Sequence, residues 1–134
     1  MNKSVGLWLD NHKAVVVSIS DSGESRRFFT SNMDHYLRFS KGTPSDGSPE
    51  DPRDRRYWTH IGEYFNLIVD HIRGAHAIQI FGPGEAKFEL ERRLGFAGMA
   101  QFIVSVDETD ALTDARIIAR VRDRFPARAQ YNVS

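Results

Sequence analysis

A glycine-bracketed segment, Phe-Gly-Pro-Gly-Glu-Ala-Lys at residues 81–87, joins two stretches of opposite character. The apolar run 77–81 before it is typical of a buried strand, and the charged run 85–94 after it is rich in helix formers. Gly82 and Gly84 permit backbone angles that other residues avoid, and Pro83 stiffens the turn. The segment therefore predicts a strand that passes directly into a helix, the unit from which α/β domains are built.

Two interpretations of this turn stay open. Backbone N–H groups and the positive end of a helix dipole can receive an anion, which makes Gly82, Gly84 and Lys87 candidate RNA or anion contacts. The glycines serve a tight strand-to-helix turn equally well, and Lys87 could simply extend over the sheet. The segment is not a phosphate-binding P-loop, because the chain has no Gly-x-x-x-x-Gly-Lys-Ser/Thr spacing.

Composition limits the classes of protein that this chain can belong to. Its 134 residues predict a single domain over residues 1–134. Cysteine is absent, which excludes disulfides and thiolate chemistry and fits a cytoplasmic protein. No run approaches the ~18 apolar residues of a membrane span, so we expect no membrane partner. Because 18 basic residues balance 18 acidic ones, any RNA binding must rest on a local patch.

The periodicity along the chain predicts a β-β-β-α-β-α-β-α order, and thus a mixed five-stranded sheet flanked by helices. An exposed, mobile loop is predicted for residues 41–53, which contain three prolines, two glycines and no large apolar side chain. The predicted strands are residues 7–9, 14–19, 26–30, 77–81 and 101–106. The predicted helices are residues 54–73, 85–94 and 113–125.

Helical spacing also predicts which side chains are buried. The first helix should bury the face formed by Tyr57, Ile61, Tyr64, Phe65, Ile68 and Ile72. The last helix should begin at Thr113 as N-cap and bury Ala115, Ile118, Ala119 and Phe125.

This order and three local strings resemble a known family. The three-stranded meander followed by alternating helices and strands is the ribonuclease-H-like arrangement. With the strings at residues 5–10, 78–87 and 110–119, the chain resembles the middle (second) domain of the archaeo-eukaryotic class 1 release factor and Pelota family, in a small stand-alone bacterial form. The resemblance covers most of the chain.

The resemblance implies a role in translation and a ribosomal or RNA partner. In the release factors, the loop before the long helix carries Gly-Gly-Gln, which promotes hydrolysis of peptidyl-tRNA. The corresponding loop here, residues 41–53, has no adjacent glycines and no glutamine. Pelota-like members also lack the tripeptide and act in ribosome rescue as recognition proteins. The resemblance therefore implies a non-catalytic, ribosome-associated protein with no cofactor.

The stretch that enters the long helix offers a candidate RNA surface. An aromatic side chain can stack on a base while neighbouring guanidinium groups hold phosphates. The candidate residues are Lys41, Arg53, Arg55, Arg56 and Trp58. The arginines are interleaved with aspartate and could equally form an ion-paired helix face. Trp58 could equally cover the loop or form a homodimer contact.

Asp10 supports an alternative from a different class of protein. It follows the first strand, where ribonuclease-H-like nucleases place a metal-binding carboxylate. A second carboxylate would have to converge on it to hold metal ions. The candidates are Glu85, Asp107, Glu108 and Asp110. Asp10-Asn11-His12-Lys13 also has the composition of an ordinary turn, which leaves a metal-dependent nuclease or phosphohydrolase and a simple hairpin as open alternatives.

Overall fold

A computed structural model of the chain describes residues 3–31 and 52–126, and for residues 52–59 it describes the backbone alone. This part of the chain contains five strands, three α-helices and one 3-10 turn. The elements are β1 (Lys3–Leu9), β2 (Lys13–Ser20), β3 (Gly23–Thr30), α1 (Pro52–Ile72), β4 (Ala77–Gly82), α2 (Ala86–Phe96), the 3-10 turn (Ala100–Phe102), β5 (Ile103–Glu108) and α3 (Asp114–Arg124). The predicted loop 41–53 falls almost wholly outside the described residues.

The five strands form one mixed sheet with the order β3-β2-β1-β4-β5. The hairpins β1–β2 and β2–β3 are antiparallel, whereas β1–β4 and β4–β5 are parallel. Consecutive strands joined by short turns pair antiparallel, and strands separated by a helix pair parallel after a crossover. The predicted mixed five-stranded α/β sheet is confirmed.

One face of the sheet is covered by α1 and α2. Apolar side chains of β1, β2 and β4, such as Leu7, Val16 and Ile80, point into this layer and are buried. The face predicted for the first helix is confirmed from residue 61 onward, because Ile61, Tyr64, Phe65, Ile68 and Ile72 are all buried. The Tyr57 side chain lies outside the described part.

The opposite face is covered by α3. Thr113 is the N-cap as predicted, since its side chain accepts a 3.2 Å hydrogen bond from the Arg116 backbone N–H. Of the four residues predicted to be buried, Ile118 is confirmed, and the other three are wrong. Ala115 and Ala119 are exposed and Phe125 is only half-buried, whereas the buried residues of α3 are Ile117, Ile118 and Val121.

The phase of α3 follows from its partner surface. Ile117, Ile118 and Val121 pack in one cluster with the aromatic rings of Trp8 and Phe81. Larger side chains bury more apolar area than alanine, so the helix turns them toward the sheet. The prediction from helical spacing treated alanine and isoleucine as equally apolar. It therefore did not identify the face of α3 that is buried.

The last strand also differs from its predicted bounds of 101–106. Gln101 and Phe102 belong to the 3-10 turn, and the strand continues through the polar pair Asp107 and Glu108. These two residues pair with Phe81 and Gly82 of β4. The available ladder partner thus overrides the low strand propensity of acidic residues.

Gly82 allows β4 to approach β1. Its φ is 153°, and a Cβ built there would lie 2.2 Å from the Leu9 carbonyl oxygen. We expect Gly82→Ala to lower the free energy of unfolding by about 3 kcal/mol, because backbone must move to admit the methyl group. Urea unfolding followed by circular dichroism measures this loss.

Gly84→Ala is the matched control for this substitution. Gly84 also has a positive φ of 66°, but no atom lies within 4 Å of its Cβ position. The control therefore reports the cost of the left-handed backbone alone, about 1 kcal/mol. Equal losses in the two variants would show that the approach to Leu9 is unimportant.

Candidate functional site

The carboxyl ends of β1, β4 and β5 lie at the same edge of the sheet, since these three strands are parallel. After β4 the chain enters α2 on one face, and after β5 it enters α3 on the other face. Ligands of open α/β sheets bind where successive connections leave in opposite directions. This edge is therefore the first place to look for a site, and it contains the turn at residues 82–87.

A buried lysine closes this turn. The Lys87 side chain is only 1% exposed, and its Nζ lies 2.5 Å from both the Gly84 carbonyl oxygen and Glu108 Oε1. The backbone N–H of Thr109 donates a 3.1 Å hydrogen bond to the Gly82 carbonyl. The turn is thus attached to the end of β5 by an ion pair and by a backbone hydrogen bond.

This arrangement bears on the anion contact expected of Lys87. Its ammonium group is paired with Glu108 and does not face solvent, so contact with RNA would require the ion pair to open. Glu85, Asp107 and Asp110 also lie at this edge, and Arg120 lies 3.9 Å from Asp107.

The Lys87–Glu108 pair also alters the titration of the carboxyl group. The hydrogen bond from Lys87 holds the pKa of Glu108 below its ordinary value, and the charge of Lys87 acts in the same direction. The Glu108 side chain is largely exposed, so solvent screens part of the attraction.

The Asp10 side chain forms part of the β1–β2 turn. Its Oδ1 accepts hydrogen bonds from the backbone N–H groups of His12 at 2.7 Å and Lys13 at 2.8 Å. The Tyr64 hydroxyl donates a 2.9 Å hydrogen bond to the Asp10 carbonyl. Burial, and to a lesser degree the Asp10 charge, raises the pKa of Tyr64 well above its usual value, so the hydroxyl stays protonated.

The turn interpretation of Asp10 accounts for the whole side-chain geometry, because an aspartate that caps two backbone amides is the standard Asx turn. Among residues 3–31 and 52–126, no three His, Asp or Glu side chains converge in a way that could hold a metal ion. The four predicted partner carboxylates do not assemble with Asp10 into such a cluster.

The second candidate surface lies at the start of α1. Lys41 is outside the described residues. The backbone at Arg53, Arg55, Arg56 and Trp58 is helical, while their side chains are outside the described part. His60 contacts the Ser31 carbonyl beside the β1–β2 turn, and the helix continues from there for two further turns toward Pro52. The basic residues lie on these two turns.

Two contacts at this edge were not predicted from the sequence. Lys87 and Glu108 were assigned separately, one to an anion and the other to a metal, yet they bond to each other across 21 positions. The Trp8 indole N–H donates a 3.2 Å hydrogen bond to the Asp110 carbonyl, which holds the β5–α3 loop against the sheet. A lysine in the first helical turn and a glutamate at the next strand end were the available hints.

The fold and its sheet order define a small α/β domain, with a mixed five-stranded sheet and three helices in the described part. The same fold occurs in the Pelota protein of Thermoplasma acidophilum, with a TM-score of 0.54 and 17% identity over 91% of this chain. It also occurs in Archaeoglobus fulgidus Pelota, with a TM-score of 0.55 and 14% identity over 92% of the chain.

A third solved structure with this fold is the archaeal translation termination factor aRF1, with a TM-score of 0.53 and 12% identity over 96% of the chain. The chain spans 32%, 31% and 36% of the lengths of these three proteins. The predicted resemblance to the release factor and Pelota family is thus confirmed at the level of the fold. At the level of sequence, no family model and no curated protein matches the chain.

The helices of the described part include none that is both long and apolar enough to cross a membrane.

The pH dependence of stability tests the Lys87–Glu108 pair. Because folding lowers the pKa of Glu108, the pair stabilises the protein above the ordinary glutamate pKa of 4.5, and this contribution disappears as the pH falls through the lower folded value. We expect Glu108→Gln to reduce the stability lost between pH 7 and pH 3, measured by urea unfolding. Lys87→Met should reduce it in the same way.

Glu91→Gln is the matched control, since Glu91 is exposed on α2 and forms no ion pair within the described residues. It should leave the acid-induced loss unchanged. A Glu108→Gln profile that coincides with the profile of the control would contradict the ion pair.

Proposed function

We propose that this chain is a translation-associated protein that binds the ribosome or structured RNA, such as ribosomal RNA or tRNA. The observation that carries the proposal is the fold shared over 91–96% of the chain with two Pelota proteins and a translation termination factor. Because fold alone does not define activity, the proposal also depends on surfaces of this chain that can contact RNA.

The proposed role is recognition without catalysis. We infer that the chain corresponds to the middle domain of the release factor and Pelota family, in which the hydrolytic members carry Gly-Gly-Gln. The tripeptide is absent from this sequence. The Asp10 carboxylate accepts hydrogen bonds from two backbone N–H groups of its own turn, and the described part contains no acidic cluster that could hold a metal ion. These observations offer no support for a metal-dependent nuclease.

The start of α1 is the favoured RNA surface of the two predicted ones. It combines Arg53, Arg55 and Arg56 with Trp58, and basic Lys41 precedes it in the chain. The turn at residues 82–87 is less favourable, because Lys87 is buried against Glu108 and acidic groups surround it. RNA phosphates bind where mobile cations are accessible, and their binding weakens with salt.

A triple substitution, Arg53→Glu with Arg55→Glu and Arg56→Glu, tests this surface. We expect the wild-type protein to co-sediment with purified ribosomes or subunits at low salt. The triple variant should lose at least about tenfold in affinity, because three positive charges are reversed and the net charge falls by six. Circular dichroism confirms that the variant is folded.

A second triple variant, Arg92→Glu with Arg116→Glu and Arg124→Glu, provides the control with the same change in net charge. These arginines are exposed on α2 and α3, away from the proposed surface. If both triple variants lose binding equally, the contact is not located at the start of α1. If the wild type does not bind ribosomes or RNA at any salt concentration, the proposed function is wrong.

A homodimeric interaction module is the second candidate, and α2 provides an observation in its favour. Phe96 is 79% exposed and Phe88 is 47% exposed, and their spacing of eight residues places both on one face of the helix. Exposed aromatic side chains are typical of protein interfaces. We expect a dimer to appear with rising concentration in sedimentation velocity, and a Phe88→Ser, Phe96→Ser variant to stay monomeric. A wild type that is monomeric throughout would exclude this candidate.

A further inference from the structure

The β-meander carries a polar, basic corner on the face that it shares with α1. Directly paired residues of neighbouring strands point to the same side of a sheet. Lys3 pairs with Ser20, Ser18 pairs with Ser25, and Val16 pairs with Arg27. Lys3 alternates along β1 with Val5 and Leu7, which are buried on the side of the sheet that α1 covers. Lys3, Arg27 and the three serines therefore share this face.

This corner is unbalanced in charge. Within the described strands β1–β3, Glu24 is the only carboxylate, and it points to the opposite face, where it bonds to Arg122 of α3 at 2.7 Å. Arg26 lies near Glu24 on that opposite face, at 3.9 Å. No carboxylate pairs with Arg27 or Lys3 within the described residues.

His71 of α1 lies next to this corner. Its ring lies 5.5 Å from the Phe29 ring, and the Arg27 guanidinium lies 5.2 Å from the same Phe29 ring. Burial lowers the pKa of His71, and the charges of Arg27 on β3 and Lys3 on β1 lower it further. On α1 itself, neighbouring Asp70 pairs with Arg73 at 3.4 Å. The His71 ring and the Arg27 guanidinium therefore both lie against the Phe29 ring.

We propose that Lys3, Arg27 and His71, together with the exposed hydroxyl group of Ser25, form a surface that contacts phosphate groups of the bound RNA. The inference rests on the proposed function and assigns it a second contact surface. Ammonium, guanidinium and hydroxyl groups all donate hydrogen bonds to phosphate oxygens. A phosphate would also balance the positive charges of Lys3 and Arg27.

The position of the corner fits a long RNA contact. His71 is in the last turn of α1, whereas the predicted basic residues lie in its first turns. The sixteen residues from Arg55 to His71 correspond to about 24 Å of helix, a distance that several successive RNA phosphates span. Both ends of α1 could therefore contact one RNA backbone.

Neighbouring arginines of β3 provide a matched experiment. Arg27→Glu and Arg26→Glu change the net charge equally and lie next to each other on an exposed strand, but only Arg27 belongs to the corner. The probe is a fluorescently labelled RNA hairpin, and fluorescence anisotropy gives its affinity over a range of salt concentrations. We expect Arg27→Glu to weaken binding about five- to tenfold and to lower the salt slope by about 1, whereas Arg26→Glu weakens it less than about twofold.

The outcomes separate this inference from the proposed function. Wild-type RNA binding that Arg27→Glu and Arg26→Glu reduce equally would overturn the corner and leave the proposed function intact. Absence of wild-type RNA binding would overturn both. In that case, a titration with inorganic pyrophosphate, followed by the amide and Arg side-chain NMR signals, distinguishes a soluble phosphate ligand from no ligand. Shifts confined to Arg27 and His71 would assign the corner to the soluble ligand.

His71 gives an independent readout. A bound phosphate favours the protonated imidazole, so RNA affinity should rise as the pH is lowered from 7 to 5.5. His71→Gln should remove most of this rise. His12→Gln, at an exposed histidine in the β1–β2 turn at the other end of the meander, is the control and should retain it. A pH profile unchanged by His71→Gln would contradict a phosphate beside this side chain.

Discussion

The parallel pairing of β1 with β4 is the contact on which the rest of the structure depends. It joins the hairpins at the start of the chain to the alternating helices and strands that follow, through five residue pairs from Ser4–Ala77 to Trp8–Phe81. The pairing is possible because Gly82 has no side chain where the backbone of β4 meets the Leu9 carbonyl. Both cores include residues from these two strands, so α1 and α2 on one face and α3 on the other depend on the same ladder.

That pairing also separates two chemical environments. The carboxyl ends of β1, β4 and β5 form an acidic edge. Hydrogen bonds within this edge involve the side chains of Asp10, Lys87, Glu108 and Trp8. The opposite end of the meander, under the last turn of α1, presents lysine, arginine and hydroxyl groups. The chain has no net charge, but its charged groups are unevenly distributed between these two regions.

The low identity to Pelota and aRF1 is compatible with the shared fold. A fold of this kind requires alternating or continuous apolar residues in strands, an apolar stripe on each helix and glycine where two backbones meet. Many side chains satisfy these conditions, as cores tolerate changes that preserve volume and pattern. Contacts such as Lys87–Glu108 belong to this chain's own packing, and they decide which of its charged groups remain available to a partner.

Periodicity and turn residues were sufficient to predict the order of the elements, the mixed sheet, the buried face of α1 and the Thr113 cap, because these depend on neighbours close in sequence. The start of β5, the phase of α3 and the partners of Lys87 and Asp10 were decided by packing, because each depends on residues that are distant in the chain. The basic corner belongs to the second group. Arg26 and Arg27 are indistinguishable in the sequence, and only the strand register, together with the position of α1, turns one toward Glu24 and the other toward His71.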